Sequence, residues 1–134
     1  RINLATLYYN NKQYDKAEAA FKKVIEQEPN YGPVYYSLAL MYGELNRVDD
    51  AIIQLNKAIK VMPENIRFYY NLGLLYDKKQ EYQKAEKTIV AGLKIEPNNE
   101  SLLYVLAYMY SKSDQKAKAK NIVFHFAQNL FLHF

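Results

Sequence analysis

Residues 35–63 read Tyr35-x-x-Leu38-Ala39-x-x-Tyr42, then Ala51-x-x-x-Leu55, then Ala58 and Pro63. The same order returns 34 residues later as Tyr69-x-x-Leu72-Gly73-x-x-Tyr76, Ala85-x-x-x-Ile89, Gly92 and Pro97. It stands 34 residues earlier as Leu4-Ala5-x-x-Tyr8, Ala17-x-x-x-Phe21 and Pro29. A fourth copy runs Leu103-x-x-Leu106-Ala107-x-x-Tyr110 and Ala119-x-x-x-Val123, with Phe131 where the proline is due. Large, small and proline positions recurring in one register predict a helical repeat array.

Each copy divides into two helices. Leu38, Ala39 and Tyr42 share one face at helical spacing, and so do Ala51, Leu55 and Ala58. The pattern predicts helices over 1–10, 15–28, 33–45, 48–61, 66–79, 82–95 and 100–112, with another from 115. Pro29, Pro63 and Pro97 end the second helix of each pair, because proline lacks the N–H that continues the ladder. Pro33 suits a first turn, and Ser113-Asp114 is a candidate cap. Connections of a few residues make neighbouring helices antiparallel. The small columns, Ala5, Ala39, Gly73 and Ala107 on first helices and Ala17, Ala51, Ala85 and Ala119 on second helices, let the axes approach. Tyr8, Tyr42, Tyr76 and Tyr110 fill the space beside them.

On these motifs the chain resembles the tetratricopeptide repeat family over essentially its whole length. The resemblance implies an all-α, right-handed α-solenoid of stacked antiparallel helix pairs. It divides the chain into a single array of four copies: a truncated one at 1–31, then 32–65, 66–99, and 100–134 including an apolar tail.

Composition narrows the function. Among 134 residues half are apolar and the net charge is +4, with acids and bases interspersed. That is a solvated surface, not a basic stripe for nucleic acid. No cysteine is present, so no disulfide, thiol ligand or thiol nucleophile is expected, and cytoplasm and periplasm fit equally. No apolar run reaches the roughly 18 residues of a membrane span. A chain starting at Arg1, already inside the first helix of the pattern, reads as a fragment or processed product.

Nothing in the sequence points to catalysis. The four glycines are scattered singly, with no phosphate loop. His125 and His133 stand eight apart in the tail, too few for a metal site. Glu26, Glu28, Asp49 and Asp50 lie near helix ends or on outer faces as ordinary solvated charge. A non-enzymatic protein is expected, without cofactor or metal.

The resemblance implies that the first helix of each pair lines a concave surface that holds a peptide. At about 100° per residue, three columns then line it. Tyr36, Tyr70 and Tyr104 form one, with Ile2 ahead; Leu40, Leu74 and Tyr108 a second, with Thr6 ahead; Asn3, Ser37, Asn71 and Val105 a third. Arg67, Lys78 and Lys112 add positive charge toward the C-terminal half. Asparagine can grip a peptide backbone as donor and acceptor, and tyrosine offers a flat ring with a polar tip. Packing against the next repeat accounts equally well for the tyrosine column. A family clamp for acidic chaperone tails needs paired cations, and its places here hold Ile2, Thr6, Ser37, Arg67 and Asn71, with one cation among them. That argues against such a ligand.

The tail departs from the rest. Ile122, Phe124, Leu130, Phe131, Leu132 and Phe134 make it apolar nearly all round, whereas a terminal repeat normally presents a polar outer face. Three readings are open: docking on a second copy, cover by a further repeat or domain, or an altered end. Two function classes follow. One is a protein-interaction scaffold that binds an extended peptide or partner helix in the groove. The other is an assembly element that self-associates, or joins a larger protein, through Ile122, Phe124, Leu130, Phe131 and Phe134. Neither a nucleic-acid partner nor membrane insertion is expected.

Overall fold

A computed structural model of the protein describes residues 2–112, 118–122 and 124, with Ile2 known by its backbone alone. The described residues hold no strand, and their complete helices are α1 (Ile2–Asn10), α2 (Tyr14–Gln27), α3 (Gly32–Glu44), α4 (Val48–Val61), α5 (Ile66–Lys78), α6 (Tyr82–Ile95) and α7 (Glu100–Lys112). Residues 118–122 and 124 are also helical. Observed helix ends fall within one residue of those read from the 34-residue pattern. The expected Ser113-Asp114 cap lies outside the described residues.

The chain divides into two compact units, residues 1–68 and 69–134, the boundary falling within α5. In the first unit α1 packs on α2, α2 on α3, and α3 on α4. Its core is the repeat ladder itself: Ala5, Ala17, Phe21, Leu38, Ala39, Tyr42, Ala51, Leu55 and Ala58 are all buried. Leu4 departs from its column. Leu38 is fully buried in α3, whereas Leu4 is 48 % exposed on α1. In the second unit α6 packs on α7, and Gly73 of α5 faces Ile89 of α6.

α1, α3 and α5 end in the same way. Gln13 N–H donates to the Tyr8 carbonyl at 2.8 Å and Lys12 N–H to Tyr9 at 2.9 Å. Arg47 to Tyr42 with Asn46 to Gly43 repeats this, and so does Glu81 to Tyr76 with Gln80 to Asp77. These are paired 6→1 and 5→2 bonds, a Schellman ending. They require a left-handed residue, and Lys12, Asn46 and Gln80 take that role at φ 61°, 62° and 64°. A side chain at such φ is strained, and asparagine tolerates it best. Gln80→Gly is therefore expected to raise stability by about 0.5–1 kcal/mol, the relieved strain exceeding the added freedom of the unfolded chain. Asn46→Gly should gain less. Thermal denaturation of the two variants checks the order.

The tyrosine columns do more than fill space. Tyr42 donates its hydroxyl to Glu18 of α2, 24 residues back, at 2.5 Å. Tyr110 donates to Glu86 of α6, also 24 back, at 2.6 Å. Lys22 at 3.0 Å and Arg47 at 3.1 Å join Glu18, and the Arg47 guanidinium lies 4.3 Å from the Tyr42 ring centre. Burial pushes the Glu18 carboxyl up, but hydrogen bonds from Tyr42, Lys22 and Arg47 outweigh it and hold the group at about 2 against an ordinary 4.5. A depressed carboxyl stabilises the fold above its unfolded value and loses that contribution as pH falls from 4.5 toward 2. Solvent screening reduces the effect to on the order of 1 kcal/mol. Urea midpoints at pH 7 and pH 3 should therefore drop further for the wild type than for Glu18→Gln. Equal drops would remove Glu18 from the account.

Candidate functional site

The first unit places six of the expected lining residues. Asn3 and Thr6 are exposed on α1, Leu40 is exposed on α3, and Arg67 is exposed at the start of α5. Tyr36 and Ser37 are half-buried. The Tyr36 ring leans on Phe68, centroids 5.1 Å apart at 35°, so in this copy the tyrosine serves packing. One residue beyond the 34-residue spacing, the Tyr9 hydroxyl donates to the Glu44 carboxylate and ties α1 to α3. That bond first, then burial and the nearby charge of Glu44, pushes the Tyr9 phenol up to about 12.

The second unit places the others. Tyr70 and Asn71 are half-buried on α5, while Leu74 and Lys78 are exposed. On α7, Tyr104 is 74 % and Tyr108 50 % exposed. Val105, assigned by register to the third column, is buried instead. It stands three residues after Leu102 and four before Met109, both core residues, so its column turns inward in this copy. Lys112 does not offer open charge. Its ammonium lies 2.9 Å from the Asp77 carboxylate, 4.9 Å from the Tyr108 ring centre and 5.9 Å from that of Tyr82. The Asp77 hydrogen bond is the main reason its pKa is raised.

Two clefts meet along α7. The first, about 450 Å³, runs from Glu100 and Ser101 past Tyr70, Leu103 and Tyr104 to Ala107 and Ile122. The second, about 660 Å³, continues from Tyr104 and Ala107 past Tyr108 and Ser111 to Ala119, Lys120 and Phe124. Tyr104 and Ala107 line both, so the depression is continuous. Phe124 is 63 % exposed at its far end. Tail residues Ile122 and Phe124, read from sequence as a separate self-association patch, thus line the same surface as Tyr70, Tyr104 and Tyr108. Leu130, Phe131 and Phe134 lie outside the described residues, as do His125 and His133.

Sequence reasoning missed the ion pair that commits Lys112 to Asp77. Asp77 and Lys112 stand 35 apart, the same offset as Tyr9 and Glu44. An acid or phenol paired one residue beyond the repeat length was the available signal. Among the described residues no three His, Asp or Glu side chains converge as a metal site. Nor, among them, is any helix long and apolar enough to cross a membrane.

Four repeat models match the chain: tetratricopeptide repeat models at residues 1–31, 20–53 and 66–99, and a TPR repeat model at 40–80. Together they run without a gap from residue 1 to residue 99. The chain belongs to the tetratricopeptide repeat family. Similar solved structures include MamA AMB-1, at 21 % identity and TM-score 0.81, covering 96 % of this chain and 70 % of that one. MamA 41-end from Desulfovibrio magneticus RS-1 has 20 % identity and TM-score 0.80, covering 95 % and 72 %. MamA MSR-1 has 22 % identity and TM-score 0.78, covering 98 % and 75 %. At such identities the likeness is one of fold. No curated protein matches the chain. The tetratricopeptide repeats make this an all-α helical-repeat scaffold of the kind that mediates protein–protein interaction, and such repeat proteins are typically non-catalytic.

Proposed function

We propose that this tetratricopeptide repeat protein holds an extended peptide segment of a protein partner along the inner columns of its first helices. On this reading the four copies at 1–31, 32–65, 66–99 and 100–134 act as one array, and the α7 cleft is the principal contact. The observation that carries it is the exposure of Tyr104 and Tyr108 along a continuous, mostly apolar depression. Rings so open contribute little to the fold, whereas tyrosine is a strong anchor for a bound segment.

The test follows from that asymmetry. Tyr104→Ala with Tyr108→Ala is expected to lower partner capture by about tenfold or more. Helical content by circular dichroism should stay unchanged and the melting temperature should move by only a few degrees. Undiminished capture by the folded double variant would end this reading.

A second reading rests on Phe124, whose ring is open at the end of the same cleft. In it the C-terminal end joins a second copy or a larger assembly. Phe124→Asp should then shift sedimentation toward a lighter species, whereas a chain that is monomeric at every concentration would exclude self-association.

A further inference from the structure

Resting on the α7 cleft as the contact surface, we infer that the segment it takes is cationic: a Lys or Arg beside one bulky apolar residue, with the cation seated between Glu100 and Tyr104. Arg67, Lys78 and Lys112 were expected to lend this half of the chain positive charge. The first cleft does not carry it. Lys112 is committed to Asp77 at 2.9 Å, and neither it nor Lys78 lines the first cleft. Among the described residues that line it, the formal charge is Glu100.

Glu100 and Tyr104 are four residues apart on α7, so carboxylate and ring share one face. Among the described residues neither side chain has an ion pair, hydrogen bond or ring partner. Elsewhere in this protein tyrosine faces are routinely covered by cations. Lys16 lies 5.9 Å from the Tyr8 ring centre, Arg47 4.3 Å from Tyr42, Lys84 5.8 Å from Tyr76 and Lys118 5.4 Å from Tyr110. An open tyrosine face with a carboxylate one helical turn away offers the same arrangement to an incoming cation.

The start of α7 is the obvious rival, since a helix N-terminus favours anions. Here Asn99 accepts the Leu102 N–H at 3.0 Å through its side chain, and Glu100 itself supplies the negative charge of the first turn. Next to the cation subsite, Leu103, Ala107 and Ile122 form an apolar wall for the neighbouring side chain. Lys120 stands at the opposite end of the continuous depression. It repels a second cation and so gives the bound segment a direction.

A phage-displayed library of random nonapeptides, selected on the full chain, tests this. Selected peptides are synthesised with a fluorescent label and measured by polarisation, together with analogues in which the cation becomes Gln or Glu. Expected are sequences with Lys or Arg beside a bulky apolar residue, weakened about tenfold by the Gln analogue and further by Glu. Glu100→Lys should abolish binding, Tyr104→Leu should remove the preference for the cation, and Tyr104→Phe should retain it. Neutral or acidic peptides that bind and are lost with Tyr104→Ala would overturn the cation and leave the cleft standing. Peptides indifferent to Tyr104→Ala, or no peptides at all, would overturn both.

Discussion

Truncating Phe21 to alanine is expected to lower the unfolding free energy by about 3–5 kcal/mol. Phe21 is 1 % exposed on α2 and stands in register with Leu55 and Ile89, the large apolar residues of the later second helices. It is flanked along its face by the buried Ala17 and Val24. The residues on either side that could close the gap are short or already in place, so much of the cavity should persist. Repeat proteins transmit stability chiefly between neighbours. Amide exchange should therefore accelerate most in α1, α2 and α3 and least in α6 and α7. A denaturant midpoint with an exchange map checks both parts. A loss below about 1 kcal/mol would mean that the site collapses around alanine.

The buried ladder was legible because two regularities agree. The 3.6-residue period selects one face of each helix, and the 34-residue period selects the same columns in each copy. Leu38, Ala39, Tyr42, Leu55 and Ala58 satisfy both and are buried. Leu4 satisfies both as well and is exposed, because a column records residue type and not what packs against it. The left-handed turns at Lys12, Asn46 and Gln80 carry no glycine, so the usual signal was missing.

Pairings between copies were harder still. Glu18 and Glu86 stand 24 residues before Tyr42 and Tyr110, yet Ile52 holds that place before Tyr76. Lys16, Lys84 and Lys118 each follow a column tyrosine by eight residues, whereas Asp50 holds the place after Tyr42. There Arg47 covers the ring instead and pairs with Asp50 at 2.9 Å. This second exception is repaired by a side chain from another position, which a comparison within columns does not see. The candidate site shows the same thing. Tyr36 and Tyr104 occupy one column, but Phe68 meets the first ring and the second lies open.

Gly73 illustrates the point in the core, and its replacement is the second large effect. On helix propensity alone, Gly73→Ala inside α5 should stabilise by about 0.5–1 kcal/mol. The copies in α1, α3 and α7 carry Ala5, Ala39 and Ala107 at this place, which makes the change look harmless. But a Cβ on residue 73 would lie 2.5 Å from Ile89 Cδ1 and 2.7 Å from Cγ1. Ile89 is fully buried, and its β-branch stiffens the side chain. Overpacking of this kind costs about 1–3 kcal/mol, so the variant is expected to be less stable than the wild type. In the preceding copy alanine at 39 coexists with Leu55, an unbranched-β residue at the place of Ile89. Adding Ile89→Leu to Gly73→Ala should therefore recover most of the loss, with a coupling on the order of 1–2 kcal/mol in a double-mutant cycle. Additive effects would locate the strain elsewhere than at the methyl of Ile89. A coupled cycle would mean that the small column on first helices and the large column on second helices are chosen together, copy by copy.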